Sequence, residues 1–232
     1  MTYSIWSRLL DLIVPRSCAI CGNRLAISEE VICTPCNLHL PRTHYAATAY
    51  DNEMARRFWG VLPIERAAAL FFYESKSEVT RVILQMKYNN HPEFGEILGR
   101  MVAREFQSQQ FFDGIDALVP IPLAPKRLRQ RGYNQSLEIA RGVQAITHLP
   151  IITDAVRRKT FTESQTHKTR LERNENVSDV FELMSEANIS CKHLLLIDDV
   201  VTTGATATAC GQELLKAKDI RISILSLAFA KG

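Results

Sequence analysis

The chain has 232 residues, of which 46% are hydrophobic and 23% are charged, and its formal net charge is +3. This length allows one sizeable core plus a small module, and the small net charge excludes a strongly polycationic protein. No apolar run approaches the roughly 18 residues that a membrane-spanning helix needs, so we expect no membrane span.

The N-terminal segment has apolar residues at helical spacing: Ile5, Trp6, Leu9, Leu10 and Ile13. An arginine and an aspartate interrupt it and no small-residue cleavage site is present, which argues against a signal peptide. We expect an amphipathic helix that packs on the body of the protein; a helix on a membrane surface is the alternative. The protein is expected in the cytoplasm, where paired cysteines favour metal binding over disulfides.

Two CxxC pairs follow this segment, formed by Cys18, Cys21, Cys33 and Cys36. Each pair presents two thiolates from one tight turn, and four sulfurs complete a tetrahedral Zn²⁺ shell with no open position. The pattern therefore predicts a structural zinc that holds together a segment too short for its own apolar core. Two alternatives remain: His39 replaces one ligand, or the cysteines are unligated core residues. Cys191 and Cys210 lack partners at ligand spacing and are predicted to be small buried hydrophobic residues.

From residue 65 the pattern becomes α/β. Apolar runs predict strands at 65–74, 116–122, 193–200 and 221–230. Apolar residues at helical spacing predict helices at 77–88, 94–108, 136–146 and 205–217. The alternation predicts a doubly wound parallel sheet, which is covered on both faces and needs continuously apolar strands. We therefore divide the chain into an N-terminal helix and four-cysteine zinc module, a connecting segment and an α/β domain, at 1–45, 46–64 and 65–232.

The stretch LLLIDDVVTTGATATA, at 194–209, places Asp198 and Asp199 at a strand end before a loop and a helix. The loop residues are Thr202, Thr203, Gly204, Ala205 and Thr206. Unpaired N–H groups and the helix dipole make such a loop a phosphate cradle, and no P-loop motif occurs in the chain. Two acids beside it suit a ligand with hydroxyls close to a phosphate, as in ribose 5-phosphate. The alternative is an acidic strand end before an ordinary capped helix.

Two further polar stretches are expected at the same sheet edge. The segment 119–136 carries a basic cluster on a predicted loop: Lys126, Arg127, Arg129 and Arg131. Such a cluster suits a pyrophosphate or a nucleic-acid backbone, or it is a solvated basic face. The long polar segment 157–181 is predicted to be a lid over the site or a disordered loop.

The 194–209 stretch resembles the PRPP-binding motif of type I phosphoribosyltransferases, with four hydrophobic residues, two acids and a Thr/Gly loop. Nearly the whole chain resembles the ComF family, phosphoribosyltransferase-like proteins with a double zinc ribbon that are tied to competence for DNA uptake. The matching pieces are CAIC, CTPC, MKY at 86–88, PIPLAPKRLRQRGYNQ, the polar stretch with Thr162, Gln165, Arg173 and Asn176, and IDDVVTTGAT. The chain departs from many relatives at Lys168, where they carry an apolar residue.

The resemblance implies an α/β fold with a type I phosphoribosyltransferase-like parallel sheet, flanking helices and a small N-terminal zinc-ribbon module. It implies that Asp198 and Asp199 hold the ribose and that residues 202–206 bind the 5′-phosphate. The pyrophosphate region would contain the basic cluster together with Gly132, Asn134, Gln135 and Lys87. Thr162, Gln165, Arg173 and Asn176 would belong to the lid. Mg²⁺ would bridge pyrophosphate and ribose hydroxyls, largely through water.

Two functions are consistent with these residues. One is a phosphoribosyltransferase of unknown acceptor that binds PRPP with Mg²⁺ and acts in DNA uptake or in nucleotide-related metabolism. The other is a non-catalytic competence factor that binds single-stranded DNA or a DNA-uptake helicase. Tyr133 and Phe161 are the aromatic residues closest to the basic runs that could stack on bases.

Overall fold

The computed structural model describes residues 15–88, 91–159 and 180–231. The α-helices in these ranges are α1 (Thr34–His39), α2 (Glu53–Arg56), α3 (Glu78–Tyr88), α4 (Pro92–Gln107), α5 (Pro125–Arg131), α6 (Gln135–Thr147) and α7 (Ala205–Leu214). The strands are β1 (Ala67–Tyr73), β2 (Ala117–Pro120), β3 (Val156–Arg158), β4 (Phe181–Leu183), β5 (His193–Val201) and β6 (Arg221–Ala230). A short 3₁₀ helix covers Tyr45–Thr48. The predicted N-terminal helix and most of the predicted lid lie outside the described residues.

Four strands form a parallel sheet in the order β1–β6–β5–β2. β5 and β6 occupy its centre, and residues 194–197 of β5 are completely buried, as their continuous apolar run predicts. Helices flank the sheet: α6 packs on β5 and β2, and α3 packs on β1. The four predicted strands and four predicted helices form, each end within three residues of its predicted position. The predicted fold class, a parallel sheet with flanking helices beside a four-cysteine module, is confirmed.

Close packing holds α6 against α4, and Asn134 fixes where α6 begins. A Cβ on Gly142 would collide with the backbone of α4, and one on Gly99 would collide with the backbone of α6. Asn134 caps α6 by accepting a hydrogen bond from Ser136 N at 3.1 Å, and it donates one to Ile121 O at 3.1 Å. The start of α6 is therefore tied to the carboxyl end of β2.

The segment predicted to be a connection, residues 46–64, contributes side chains to the main core. Met54, Phe58 and Leu62 are at most 2% exposed. Asn52 caps α2 by accepting from Ala55 N at 2.9 Å, and its amide donates to Ala67 O at 2.8 Å. These contacts attach the segment to β1, while the division of the chain into domains stays a prediction.

The structure corrects two local predictions. The basic cluster lies on a helix, α5, where we predicted a loop. Pro125 in its first turn and Gly132, at φ 79° after its last, are ordinary helix start and stop signals. Cys210 is buried as predicted, but the prediction for Cys191 was wrong: it is exposed, in a turn before β5 with φ 59°.

The antiparallel pair of β3 and β4 was not predicted. Each strand has three residues, too few for an alternating pattern to be recognisable. No described helix has the length and apolar character that crossing a membrane requires.

Candidate functional site

A cavity of about 250 Å³ lies at the carboxyl edge of the parallel sheet. Tyr73 ends β1, Ile121 follows β2, and Asp198 and Asp199 lie near the end of β5; all four line this cavity. Parallel strands bring their carboxyl ends to one edge, which is where open α/β sheets bind ligands. The acid pair therefore lies at the carboxyl edge of the sheet, beside the ends of β1 and β2.

Asp198 lies among protein groups that act on its carboxylate in opposite directions. Its Oδ1 accepts hydrogen bonds from Asp199 N at 2.8 Å and from Ser136 Oγ at 3.4 Å. Burial raises the pKa of Asp198 to about 7, the charge of Asp199 adds to this effect, and Lys87 opposes it. Asp198 therefore changes protonation near neutral pH, unlike an ordinary surface aspartate.

Lys87 pairs directly with the second acid. Its Nζ lies 2.8 Å from Asp199 Oδ2, and the two side chains are 18% and 14% exposed. Lys87 is in the last turn of α3. Tyr133 Oη donates a hydrogen bond to the neighbouring Met86 O, which connects this end of α3 to the turn between α5 and α6. The structure thus brings Lys87 to the acid pair. This contact cannot be inferred from two residues so far apart in the sequence.

The predicted phosphate loop, residues 202–206, leads from β5 into the first turn of α7. Gly204 is the N-cap of α7, at φ 80°, and makes no side-chain cap hydrogen bond to the first turn. Thr203 Oγ1 accepts from Ala205 N at a long 3.3 Å, so the first turn has only a weak side-chain partner. Thr202 and Thr206 line the cavity. First-turn N–H groups with so little side-chain capping suit an anion.

The basic cluster divides into two pairs. Arg127 and Arg131 line the cavity, whereas Lys126 and Arg129 are exposed and are not among its lining residues. Arg131 donates to Gln135 Oε1 at 2.7 Å, and its guanidinium lies 5.3 Å from the centre of the Tyr88 ring. Gly132 and Asn134 shape the turn between α5 and α6.

Among the polar residues that line the cavity, the sequence analysis singled out neither Tyr73 nor Ser136 nor Arg158. Tyr73 could have been found, because it ends a predicted strand at the ligand-binding edge. Arg158 lies at the start of the segment predicted to be a lid, but nothing singled it out there, and the structure places it on the unpredicted strand β3. Its guanidinium lies 5.3 Å from the Phe181 ring, and burial, followed by the charge of Arg127, lowers its pKa. The predicted lid residues Thr162, Gln165, Arg173 and Asn176 lie outside the described residues.

Among the described lining residues, positive side chains outnumber carboxylates. They are Lys87, Arg127, Arg131 and Arg158, against Asp198 and Asp199. One carboxylate is partly protonated near neutral pH, which increases the excess of positive charge. Such a cavity favours a ligand with more than one anionic group and with hydroxyls for the acid pair.

The four cysteines of the N-terminal module form one cluster, with all their sulfurs within 4.8 Å of one another. The Cys21 and Cys33 sulfurs are 3.7 Å apart, close to the separation of about 3.8 Å in a tetrahedral site with Zn–S bonds of about 2.3 Å. Ile20 N and Cys33 N each donate to Cys18 Sγ at 3.4 Å, which stabilises a thiolate. The cluster could therefore hold a structural zinc. His39 lies outside it, with Nδ1 2.7 Å from Pro35 O.

The cysteine module packs on the two helices before β2. Gln85 Nε2 on α3 donates to Ala19 O at 2.9 Å, and Arg100 on α4 pairs with Glu30 at 3.1 Å. Gln85 is on the same helix as Lys87. The module therefore supports, from the far side, the helix that reaches the acid pair.

Comparison with known proteins identifies relatives over most of the chain. It is 27% identical to the DNA utilization protein YhgH of Escherichia coli K12 over 215 residues, which cover 88% of this chain and 93% of that protein. It is 26% identical to the competence protein ComFC of Bacillus subtilis 168 over 230 residues, which cover 95% of this chain and 88% of that protein. No protein-family model matches the chain.

A solved structure of adenine phosphoribosyltransferase from Leishmania tarentolae aligns with a TM-score of 0.37 and 9% identity. The alignment covers 77% of this chain and 88% of that chain. A TM-score this low assigns neither a ligand nor an activity.

We predict that the chain purified without chelator contains one zinc per molecule, measured by elemental analysis. Replacing Cys33 and Cys36 with serine removes two of the four ligands and should abolish the metal. The matched control is Cys191→Ser, an exposed cysteine outside the cluster, which should retain it. A metal-free parent chain, or full zinc content in the double variant, would contradict the prediction.

We predict that Asp198→Asn stabilises the protein increasingly as the pH rises. The folded pKa of Asp198 is about 7 against an ordinary 3.8, so between these values the folded chain holds a proton that the unfolded chain has lost. The stability of the parent therefore falls from about pH 4 to 7. Asparagine does not ionise and avoids this loss. Melting temperatures at pH 5 and 8 test this: the variant's advantage should be larger at pH 8, and an equal or smaller advantage there refutes it.

Proposed function

The chain belongs to the ComF family, and on that premise we propose that residues 194–206 bind PRPP with Mg²⁺. One observation carries the proposal: a pair of carboxylates, an open helix N-terminus and an excess of cationic side chains share one cavity. PRPP has the complementary groups, since its ribose hydroxyls lie between a 5′-phosphate and a pyrophosphate.

In this proposal each part of the cavity binds one part of the ligand. Asp198 and Asp199 accept hydrogen bonds from the 2′- and 3′-hydroxyls. The N–H groups of the loop, with the hydroxyls of Thr202 and Thr206, bind the 5′-phosphate. The guanidinium groups of the cavity bind the pyrophosphate, and guanidinium matches phosphate oxygens in pairs.

The residues also fit a magnesium ion. Mg²⁺ prefers oxygen ligands and keeps much of its water, and carboxylate oxygens beside a pyrophosphate site offer that environment. When bound, the ion would offset the charge of the pyrophosphate. Lys87 already offsets the charge of Asp199 at 2.8 Å in the structure.

The proposed reaction is transfer of the phosphoribosyl group to an acceptor. The bond between ribose C1 and the pyrophosphate oxygen breaks, the electron pair leaves with pyrophosphate, and the acceptor forms the new bond to C1. The chain's part is to stabilise the leaving charge with Arg127, Arg131 and Arg158 and to orient the sugar through its hydroxyls. This chemistry needs no nucleophilic side chain of the protein.

We further propose that the protein acts in DNA uptake, because its relatives are named for competence and DNA utilization. We place this role in the cytoplasm, where the four clustered thiols stay reduced. The second candidate function is binding of single-stranded DNA or of a helicase, without phosphoribosyl transfer. It is favoured by the two basic residues of α5 that do not line the cavity, Lys126 and Arg129. Lys126 and Arg129 are exposed, and no acidic partner for either is found in the described part of the chain.

We predict that Asp198→Asn combined with Asp199→Asn weakens PRPP binding at least about tenfold, or about 1.4 kcal/mol, because both hydroxyl acceptors lose their charge. Titration calorimetry with PRPP and Mg²⁺ measures this. Asp154→Asn removes an exposed acid that does not line the cavity, so it should bind like the parent. Equal affinity of the double variant and the parent would exclude the acid pair as the ribose site.

We predict that the two pairs on α5 separate the two candidate functions. Lys126→Ala with Arg129→Ala should reduce the salt dependence of single-stranded DNA binding by about 0.7 in slope per lost phosphate contact, and it should leave PRPP binding unchanged. Arg127→Ala with Arg131→Ala should weaken PRPP binding. Binding isotherms across a salt series distinguish them. An unchanged DNA slope in the first variant would exclude the outer face of α5 as a DNA surface.

A further inference from the structure

Phe58 lies directly against the phosphate loop. A Cβ built on Gly204 would be 2.9 Å from Phe58 Cε1 and 3.2 Å from its Cζ. The ring is completely buried, although it belongs to the segment that the sequence predicted to be a connection. We propose that Phe58 is a positioning residue for phosphate binding: its ring supports Gly204 and so sets the direction of the first N–H groups of α7.

The loop has few other restraints at this point. Gly204 has φ 80°, a left-handed conformation that glycine adopts freely and leaves freely. It supplies no side-chain cap, and its carbonyl accepts the hydrogen bond of Thr208 N at 2.8 Å. A rigid aromatic surface under a glycine compensates for this freedom, because a shift of the glycine backbone toward the ring meets a closely packed group. An anion site needs its N–H groups fixed before the ligand arrives.

Phe58 is itself fixed to the sheet. The segment that carries it is tied to β1 through Asn52, which donates to Ala67 O at 2.8 Å. Phe58 N donates to Ala55 O at 3.0 Å, and Leu62 N donates to Phe58 O at 2.9 Å. The ring therefore transmits the position of the sheet to the loop.

The same segment offers a matched control. Leu62 is also buried, and it contacts α7 two turns further along, where a Cβ on Gly211 would lie 2.7 Å from its Cδ2. Phe58→Ala and Leu62→Ala each remove a buried apolar side chain that packs on α7, so both variants lose core stability. The proposal expects the phosphate site to be affected by Phe58→Ala alone.

The inference rests on the proposed function for its ligand, so the experiment has one readout with ligand and one without. Titration calorimetry with ribose 5-phosphate should show at least fivefold weaker binding for Phe58→Ala and less than a twofold change for Leu62→Ala. Hydrogen exchange of the Thr208 amide, without ligand and where both variants are folded, should be at least tenfold faster for Phe58→Ala than for Leu62→Ala. Phe58→Leu keeps an apolar side chain under the loop. Its affinity for ribose 5-phosphate and its Thr208 exchange rate should therefore be close to those of the parent.

Equal effects of the two alanine variants on binding and exchange would overturn the positioning role, as would no effect of Phe58→Ala. A parent chain that binds neither ribose 5-phosphate nor PRPP with Mg²⁺, with the exchange pattern intact, would refute the proposed function while supporting the role of Phe58 in fixing the loop. If Phe58→Ala does not fold, Phe58→Val replaces it and Leu62→Val becomes its control. Phe58→Val should bind ribose 5-phosphate more weakly than Leu62→Val and should exchange the Thr208 amide faster. Equal effects of these two variants would overturn the proposal.

Discussion

The organisation of this protein depends on the burial of β5 at the centre of a parallel sheet. Its residues 194–197 are inaccessible to solvent and pair with β2 on one side and β6 on the other. A strand held on both edges cannot shift without breaking two ladders of hydrogen bonds. Asp198 and Asp199 are therefore fixed in position by the core. The parallel arrangement also brings the ends of β1 and β2 to the same edge, where Tyr73 and Ile121 join the acid pair.

Fixing two carboxylates side by side has an electrostatic consequence. Burial and the charge of Asp199 raise the pKa of Asp198 to about 7. The structure offsets part of this repulsion with Lys87, and the arginines of α5 and β3 add further positive charge. A ligand with hydroxyls between two anionic groups binds the carboxylates through its hydroxyls and the cationic side chains through its anionic groups. This complementarity is the basis for proposing PRPP. The elements that supply these cations are supported in turn: α3 contacts the cysteine module through Gln85, and the start of α6 is tied to β2 through Asn134.

Much of the candidate site could be predicted because its residues are adjacent in the chain. The acid pair and the phosphate loop form one continuous stretch, so local pattern is sufficient for them, and the clustered CxxC pairs are similarly local. Arg158 lies in the predicted lid segment but was not singled out, and Phe58 was not predicted at all, since each reaches the site from another part of the chain. The basic cluster shows an intermediate case. Its charges were recognised, but the helix that turns Arg127 toward the cavity and Arg129 away from it was not.

The sequence by itself determined the order of the four strands of the parallel sheet and of four helices between and beside them, the acid pair with its glycine-containing loop, and the four clustered cysteines. These follow from hydrophobic periodicity and from short-range spacing, which do not depend on distant residues. Only the tertiary structure decided that Lys87 pairs with Asp199, that the cavity has an excess of positive side chains, and that Phe58 lies under Gly204. These contacts join residues that are far apart in the chain, and their partners are chosen by how the helices pack on the sheet. The physical reason is that side-chain proximity at the carboxyl edge is a property of the packed core, which no local pattern records.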